Sequence, residues 1–137
     1  MQGFTHTHCT TCFSPDKLIS IFFYKGLIKE TLKQIKYKTA VLGLVPDLCD
    51  FVEDYMEKYQ VYIPSDFVWV PIPLHGITLL DRTYNQAELI SMELSKRLGH
   101  KMVTNFLTRV RDTKSQTKLN LKERRENVKK ASLCLKR

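Results

Sequence analysis

The sequence has no apolar run of the roughly 18 to 20 residues that a membrane-spanning helix needs. Its first residues lack the charged start and apolar middle of a signal peptide, and are rich in Thr, His and Cys instead. Internal repeats and low-complexity tracts are also absent. These absences predict a cytoplasmic protein that does not insert into a membrane.

Acidic residues are scarce in the last third of the chain. Residues 96–137 hold 3 Asp/Glu and 14 Lys/Arg, a net charge of +11, whereas residues 1–95 hold 11 Asp/Glu and 8 Lys/Arg, a net charge of −3. Anions are therefore expected at the last third, either phosphates of a small ligand or those of a nucleic acid. Charge alone favours the simpler interpretation, which is a solvated basic surface.

The bulk composition is that of a globular protein with one core. The 137 residues are 43% hydrophobic and 26% charged, which excludes wholesale disorder and allows a single domain with a small appendage. Residues 1–16 are irregular. Of the four cysteines only Cys9 and Cys12 are close, and in a cytoplasmic protein this C-x-x-C pair indicates metal or redox chemistry more than a disulfide framework.

The C-x-x-C pair supplies half of a tetrahedral zinc site. His6 and His8 could complete that site, although four ligands within seven residues make tetrahedral closure difficult. Zinc binding by Cys9 and Cys12 is therefore one prediction, and a pair of ordinary thiols is the other.

Two amphipathic helices are predicted in the first half of the chain. Lysines face outward from the first helix, whose inward residues are expected to be Leu27, Ile28, Leu32 and Ile35. The second helix is expected from near Pro46, which suits a first helical turn, to about Tyr59. Its apolar face would consist of Leu48, Phe51, Val52 and Tyr55.

A phosphate site is predicted after the apolar run Phe67–Leu74, which is typical of a strand covered on both faces. Prolines at 71 and 73 should end the regular strand by about Val70. A Gly-containing loop at a strand end can hold phosphate or pyrophosphate, and Arg82 adds a forked donor near the start of the next helix. A buried strand without a ligand explains the same residues equally well. The candidate residues are Pro73, Leu74, His75, Gly76 and Arg82.

Five further elements are expected: a helix over about 84–98, a strand over 101–107, a long exposed loop over 108–120, a basic helix over 121–131 and a strand near 133–135. Asn85 should cap the first of these helices, and Gly99 should end it. Core packing does not explain the polar loop residues Arg109, Arg111, Thr113 and Gln116. Such a loop could close over a polyanionic substrate, although a solvated surface loop is the commoner case. The helix behind the loop carries Arg124, Arg125 and Asn127.

In this order the segments resemble the ComF family, competence-related proteins with a type I phosphoribosyltransferase-like domain. The family's strand and pyrophosphate loop are matched by V-P-I-P-L-H at Val70–His75, and its R-G-F-N-Q-A motif by R-T-Y-N-Q-A at Arg82–Ala87. Its flexible loop and the helix after it are matched at Arg109–Gln116 and Glu123–Val128. The cysteine pair and Lys36-Tyr37 resemble the end of the family's zinc ribbon and its first helix.

The resemblance implies an α/β fold, a partial type I phosphoribosyltransferase-like domain in residues 17–137, in which helices flank a parallel sheet. Residues 1–16 would be half of a zinc ribbon. A helical segment would follow them, before the sheet. The implied ligand is phosphoribosyl pyrophosphate with Mg²⁺. Its pyrophosphate would lie on the loop from Pro73 to Arg82, with Arg109, Arg111 and Thr113 closing over it.

Two departures from the family bear on activity. The family's ribbon has two C-x-x-C pairs, and only Cys9 and Cys12 are present. The family's acidic pair with a Thr/Gly-rich turn, which holds the ribose 5-phosphate, is absent, since Glu53-Asp54 lies in a predicted helix. The sequence therefore predicts a chain truncated at both ends and without transferase activity.

Three functions remain open. The first is a protein associated with DNA uptake that has a pyrophosphate half-site and no catalysis of its own. The second is a module that binds single-stranded DNA, or a DNA-processing partner such as a helicase, through the basic last third. Aromatic rings for base stacking are sparse there, since Phe106 is the only aromatic residue after Tyr84. The third is a non-functional gene fragment with an incomplete core.

Overall fold

The computed structural model describes residues 18–38, 42–113, 115–116, 119–129 and 131–134. In chain order the described elements are α1 (Gly26–Ile35), α2 (Leu44–Lys58), β1 (Val68–Trp69), α3 (Gly76–Arg82), α4 (Gln86–Arg97), β2 (Lys101–Met102), β3 (Leu107–Arg109), α5 (Leu121–Val128) and β4 (Ser132–Cys134). Helices thus accompany a small parallel sheet, which agrees with the predicted α/β class. Within the described part of the chain, every helix is too short or too polar to cross a membrane.

The hydrophobic core lies among α1, α2 and α4. Its buried residues are Ile35, Val45, Leu48, Cys49, Val52 and Leu94, and Ile28, Leu32 and Ile90 pack against them. The predicted inward faces of α1 and α2 are therefore correct in most positions. They are wrong at Leu27 and Phe51, which are 81% and 58% exposed. Both lie at the margin of their apolar faces, where three or four better-placed residues already fill the core.

Arg97 ties the end of α4 to α2. Its guanidinium donates hydrogen bonds to Glu93 at 2.8 Å, to Glu53 at 2.7 Å and to Asp50. These hydrogen bonds, that to Asp50 foremost, raise the pKa of Arg97 further above its usual range. A permanently charged residue therefore joins three carboxylates across the two core helices.

The parallel sheet consists of β1 and β2, with Val68 opposite Lys101 and Trp69 opposite Met102. The regular strand ends before Pro71, as predicted, because a proline cannot donate to the ladder. The prediction that both faces of this strand are covered is wrong. Val68 remains 50% exposed, and its neighbours Phe67 and Ile72 are 57% and 61% exposed.

The single strand predicted over 101–107 is two strands with different partners. β2 joins the parallel sheet, whereas β3 pairs antiparallel with β4, with Leu107 opposite Cys134 and Arg109 opposite Ser132. A turn with the polar residues Thr104 and Asn105 separates the two strands. β3 therefore extends to Arg109, inside the segment predicted as a loop, and the predicted last strand exists as the partner of β3.

The segment after Gly76 is a helix, so the prediction of a loop from Gly76 to Arg82 is wrong. Thr83 ends α3 in the left-handed conformation, with φ of 69°. Asn85 then caps α4, as predicted, because its side chain accepts a hydrogen bond from the Ala87 N–H at 3.0 Å. Gly99 follows α4 with φ of +68°, which confirms the predicted stop.

Candidate functional site

The loop after β3 reaches the turn where β1 leads into α3. His75 is the N-cap residue of α3, and its Nδ1 atom is buried without a hydrogen-bond partner. The Oδ1 of Asp112 lies 4.0 Å from that nitrogen. This distance is too long for a hydrogen bond. Two segments that were predicted separately to bind phosphate therefore meet at His75.

Within that loop, two of the predicted phosphate ligands contact each other. Arg109 lies at the end of β3, and its Nη2 donates a hydrogen bond to the Thr113 hydroxyl. Both side chains are half-buried, although the loop was predicted to be fully exposed. The Arg109–Thr113 bond folds the loop back on itself and leaves Asp112 facing His75.

Arg111, also a predicted phosphate ligand, contacts the end of α5. Its Nη2 donates to the carbonyl oxygens of Glu126 at 3.2 Å, Asn127 at 2.9 Å and Lys129 at 2.8 Å. These carbonyls lie at the C-terminal end of α5, where backbone acceptors lack helical partners and the helix dipole favours a cation. Arg111 therefore connects the loop to α5.

The predicted basic helix is α5, which ends at Val128 rather than near Ala131. Asn120 and Glu123 form a reciprocal capping box at its start, with bonds of 3.0 Å and 2.8 Å. Arg124 donates from Nε to the Leu119 carbonyl at 2.9 Å, and Arg125 is exposed. Only Asn127 is half-buried on a helix that is otherwise exposed along its length.

The structure places Arg82 away from His75. Arg82 is the last residue of α3, about 9 Å along the helix axis from Gly76 at 1.5 Å per residue. Its guanidinium carbon lies 5.1 Å from the centre of the Tyr37 ring, within the range of a cation–π contact. The Tyr84 hydroxyl donates to the Ile35 carbonyl nearby, so the α3–α4 connection is held against the end of α1.

The other predicted residues differ in their exposure. Pro73 and Leu74 are half-buried, Gly76 is exposed, and Gln116 is half-buried with an unpartnered Oε1. Asn85, which is 7% exposed, donates from Nδ2 to the Ile72 carbonyl at 2.9 Å. Asn85 thereby fixes the segment before His75 against the start of α4.

A metal site with three or more His, Cys, Asp or Glu ligands is absent from the described residues. The predicted zinc ligands Cys9 and Cys12 lie outside those residues, as does His8 beside them. Asp112 is the carboxylate that the structure places against His75.

Among the described residues, an apolar recess of about 200 Å³ lies between α2 and α4, lined by Leu42, Val45, Pro46, Leu89, Met92 and Glu93. Another, of about 160 Å³, is lined by Ile63, Phe67, Val68 and Trp69. Neither of these recesses is lined by a predicted phosphate ligand.

The thiol of Cys49 is fully buried in the core and takes no part in this site. Burial raises the pKa of Cys49 to about 11, against a smaller lowering by the nearby Arg97. A neutral, inaccessible thiol is a poor nucleophile and a poor metal ligand.

Two contacts of the site were not predicted from the sequence. Asp112 lies between Arg111 and Thr113, and its sequence position gives no indication that it would face His75. Tyr37 was noted only in the Lys36-Tyr37 pair, and 45 residues separate it from Arg82. Such contacts depend on how distant elements pack, which local spacing does not reveal.

Comparison with curated proteins places two competence proteins among the relatives of the chain. The chain is 30% identical over 131 residues to Competence protein F of Haemophilus influenzae, a match that covers 90% of the chain and 56% of that protein. It is 31% identical over 85 residues to Competence protein ComFC of Bacillus subtilis, which covers 61% of the chain and 34% of that protein. The chain thus spans about half, or less, of the length of these relatives. No protein-family model and no solved structure matches it.

Proposed function

The chain belongs to the ComF family of competence proteins, and we propose that it is a competence-associated, phosphoribosyltransferase-like protein with a pyrophosphate half-site. The half-site consists of the turn from Pro73 to Gly76 and the loop from Arg109 to Thr113. The observation that carries the proposal is the 4.0 Å approach of Asp112 to the unpartnered Nδ1 of His75. That approach brings the two segments together in a fold where 37 residues separate them in sequence.

In the proposed binding step, pyrophosphate replaces the Asp112 carboxylate as the anion beside His75. A buried polar atom without a partner is costly, so a ligand group that reaches the Nδ1 of His75 gains a hydrogen bond that Asp112 does not make. Arg109 then turns from the Thr113 hydroxyl to the ligand, because an Arg–phosphate bond is stronger than a bond to a neutral hydroxyl. Arg111 stays on α5 and holds the loop in place.

Catalysis by this chain alone is not part of the proposal. The 137 residues contain no acidic pair followed by a Thr/Gly-rich turn, and the described residues offer no carboxylate cluster for Mg²⁺. A group that grips the ribose 5-phosphate is needed to orient phosphoribosyl pyrophosphate for transfer. We therefore expect no turnover of phosphoribosyl pyrophosphate by the purified chain. Release of pyrophosphate above the blank rate would contradict this expectation.

Calorimetric titration with pyrophosphate tests the half-site. Arg109→Ala should weaken binding by about ten- to one-hundredfold, since a hydrogen bond to a charged group contributes about 1.5–3 kcal/mol. Lys101→Ala removes an exposed cation from β2, outside the half-site, and should change the affinity little. Equal losses in the two variants would indicate non-specific attraction to a basic protein. If titration of the unmodified chain with pyrophosphate gives no heat, the proposed half-site is contradicted.

A second candidate function is binding of DNA or of a DNA-processing protein through the basic last third. The exposure of most of α5 favours it, because Lys122, Arg124 and Arg125 are all exposed. Direct DNA binding through α5 should weaken steeply with salt, whereas a helicase-like partner held by apolar contacts should be less sensitive. Replacing Lys122 and Arg125 by Gln should abolish either interaction if α5 carries it.

A further inference from the structure

Lysines form a row along one side of α1. Lys25, Lys29 and Lys33 follow each other at four-residue spacing, and Lys36 continues the row one turn later. Residues at this spacing lie above one another on a helix. The row spans about 16 Å at 1.5 Å per residue. Lys25, Lys29 and Lys33 are exposed, and Lys36 is half-buried.

The row is poorly compensated by acidic residues. Like charges four residues apart destabilise a helix by about 0.2–0.5 kcal/mol per pair. Glu30 is the only acidic residue of α1, and its carboxylate lies 4.0 Å from Lys33 with both side chains largely exposed. An ion pair of that kind contributes little. A helix whose stacked lysines have only one weak ion pair among them is therefore suited to an external polyanion.

Exposed aromatic rings stand at both ends of the row. Phe23 and Tyr24, just before α1, are 84% and 58% exposed, and Tyr37, just after it, is 67% exposed. Arg82 extends the basic surface, since its guanidinium lies against one side of the Tyr37 ring. Large exposed rings in a cluster usually mark a binding surface.

We infer that this α1 surface, made of Lys25, Lys29, Lys33, Lys36, Arg82 and the rings of Phe23, Tyr24 and Tyr37, binds single-stranded nucleic acid. Lysines that follow the phosphate backbone and rings on which unpaired bases stack are the two components of sequence-tolerant single-strand binding. Paired bases in a duplex do not offer their faces to such rings. This surface is separate from both the His75 half-site and α5.

An anionic membrane is the competing polyanion, and the packing of α1 argues against it. A helix that binds at a membrane interface buries its apolar face among lipid chains. The apolar residues Ile28, Leu32 and Ile35 of α1 are already packed in or against the protein core. Leu27 is the one exposed apolar residue of α1, so the lysine row has no continuous apolar face beside it.

Fluorescence anisotropy with labelled oligo(dT) tests the assignment on the full chain. Replacing both Lys29 and Lys33 by Gln should weaken binding and reduce the slope of log affinity against log salt by about 1.4, at about 0.7 per phosphate contact. The matched control replaces Lys58 and Lys101, two exposed lysines outside α1 and α5, by Gln, with the same change in charge and a small effect expected. Tyr37→Leu should weaken binding at least about fivefold, whereas Tyr37→Phe keeps the ring and should retain the affinity.

Each outcome bears on the α1 surface directly. Preference for oligo(dT) over a duplex of equal length, with losses confined to the α1 variants, supports it. Equal losses of affinity from the Lys58 and Lys101 control pair, equal affinity for duplex, or an unchanged affinity in Tyr37→Leu would overturn it. Binding to phosphatidylglycerol vesicles without binding to oligo(dT) would assign the surface to membranes instead. Melting temperatures of all variants equal to that of the unmodified chain exclude misfolding as the cause.

Discussion

At the scale of single residues, the arginines have different roles: most make structural contacts, and one is available to bind a ligand. Arg97 joins three carboxylates, Arg111 caps α5, Arg82 stacks on Tyr37 and Arg109 pairs with a hydroxyl. Of these four, only Arg109 combines proximity to the His75 segment with a weak, neutral partner. It is therefore the arginine that an incoming phosphate can recruit most easily.

Asn85 holds the segment before His75 in place, so removal of its side chain should destabilise the folded chain. Asn85→Ala removes the α4 cap and the bond to the Ile72 carbonyl. We expect a decrease of about 2 kcal/mol in the free energy of unfolding, measured by urea titration. Asn105→Ala, in an exposed turn, is the matched control and should stay within about 0.5 kcal/mol of the unmodified chain. Equal stabilities of the two variants would show that Asn85 is not a structural cap.

Cys49 should be almost inert in the folded chain. Because its pKa is raised to about 11, its thiolate fraction near about pH 8 falls about 100-fold below that of an unperturbed thiol. Peptide-resolved mass spectrometry after iodoacetamide treatment should find Cys49 unmodified until urea is added. Rapid alkylation without urea would contradict the described core.

The same raised pKa of Cys49 predicts a pH dependence of stability. The folded chain favours the neutral thiol, so this contribution is complete below about pH 9 and is lost as the pH rises towards about 11. The free energy of unfolding of the unmodified chain should therefore fall more steeply over this window than that of Cys49→Ala. Parallel curves would contradict a buried, neutral thiol.

At the scale of elements, the helices with strong local signals were predicted well and the strands were not. Helix α4 has a capping Asn, a periodic apolar face and a terminal glycine, and all three signals are local. The strands are two or three residues long, and their limits depend on pairing partners far away in sequence. For the same reason α3 was mistaken for a loop, since it is two turns long and leaves Ile77 and Leu80 exposed.

The connection between the loop and α5 makes a prediction about that helix. Arg111→Ala leaves the carbonyl oxygens at the end of α5 without their cation, and the helix has few other contacts to stabilise it. Hydrogen exchange of α5 amides, followed by mass spectrometry, should become several times faster. Arg125→Ala, an exposed position on α5 itself, should change the exchange little. Unchanged exchange in Arg111→Ala would mean that α5 is held by something other than this cap.

At the scale of the whole molecule, charge is arranged in two separate basic regions. The sequence located one of them, in residues 96–137, and the fold adds the other by placing Arg82 beside the lysine row of α1. The lysines could be found from the sequence. Their proximity to Arg82 and Tyr37 could not, because it depends on how α1 and α3 pack. Likewise the motifs of the half-site were found by their order, whereas the contact between Asp112 and His75 required the fold.

The His75 turn and the Arg109–Thr113 loop are proposed to bind pyrophosphate as one site. Titration of isotopically labelled chain with pyrophosphate, followed by amide chemical shifts, tests this proposal. Amides of residues 75–76 and 109–113 should shift together along one saturating curve, while amides of α2 stay unchanged. Shifts confined to one of the two segments, or spread over every basic surface without saturation, would contradict it.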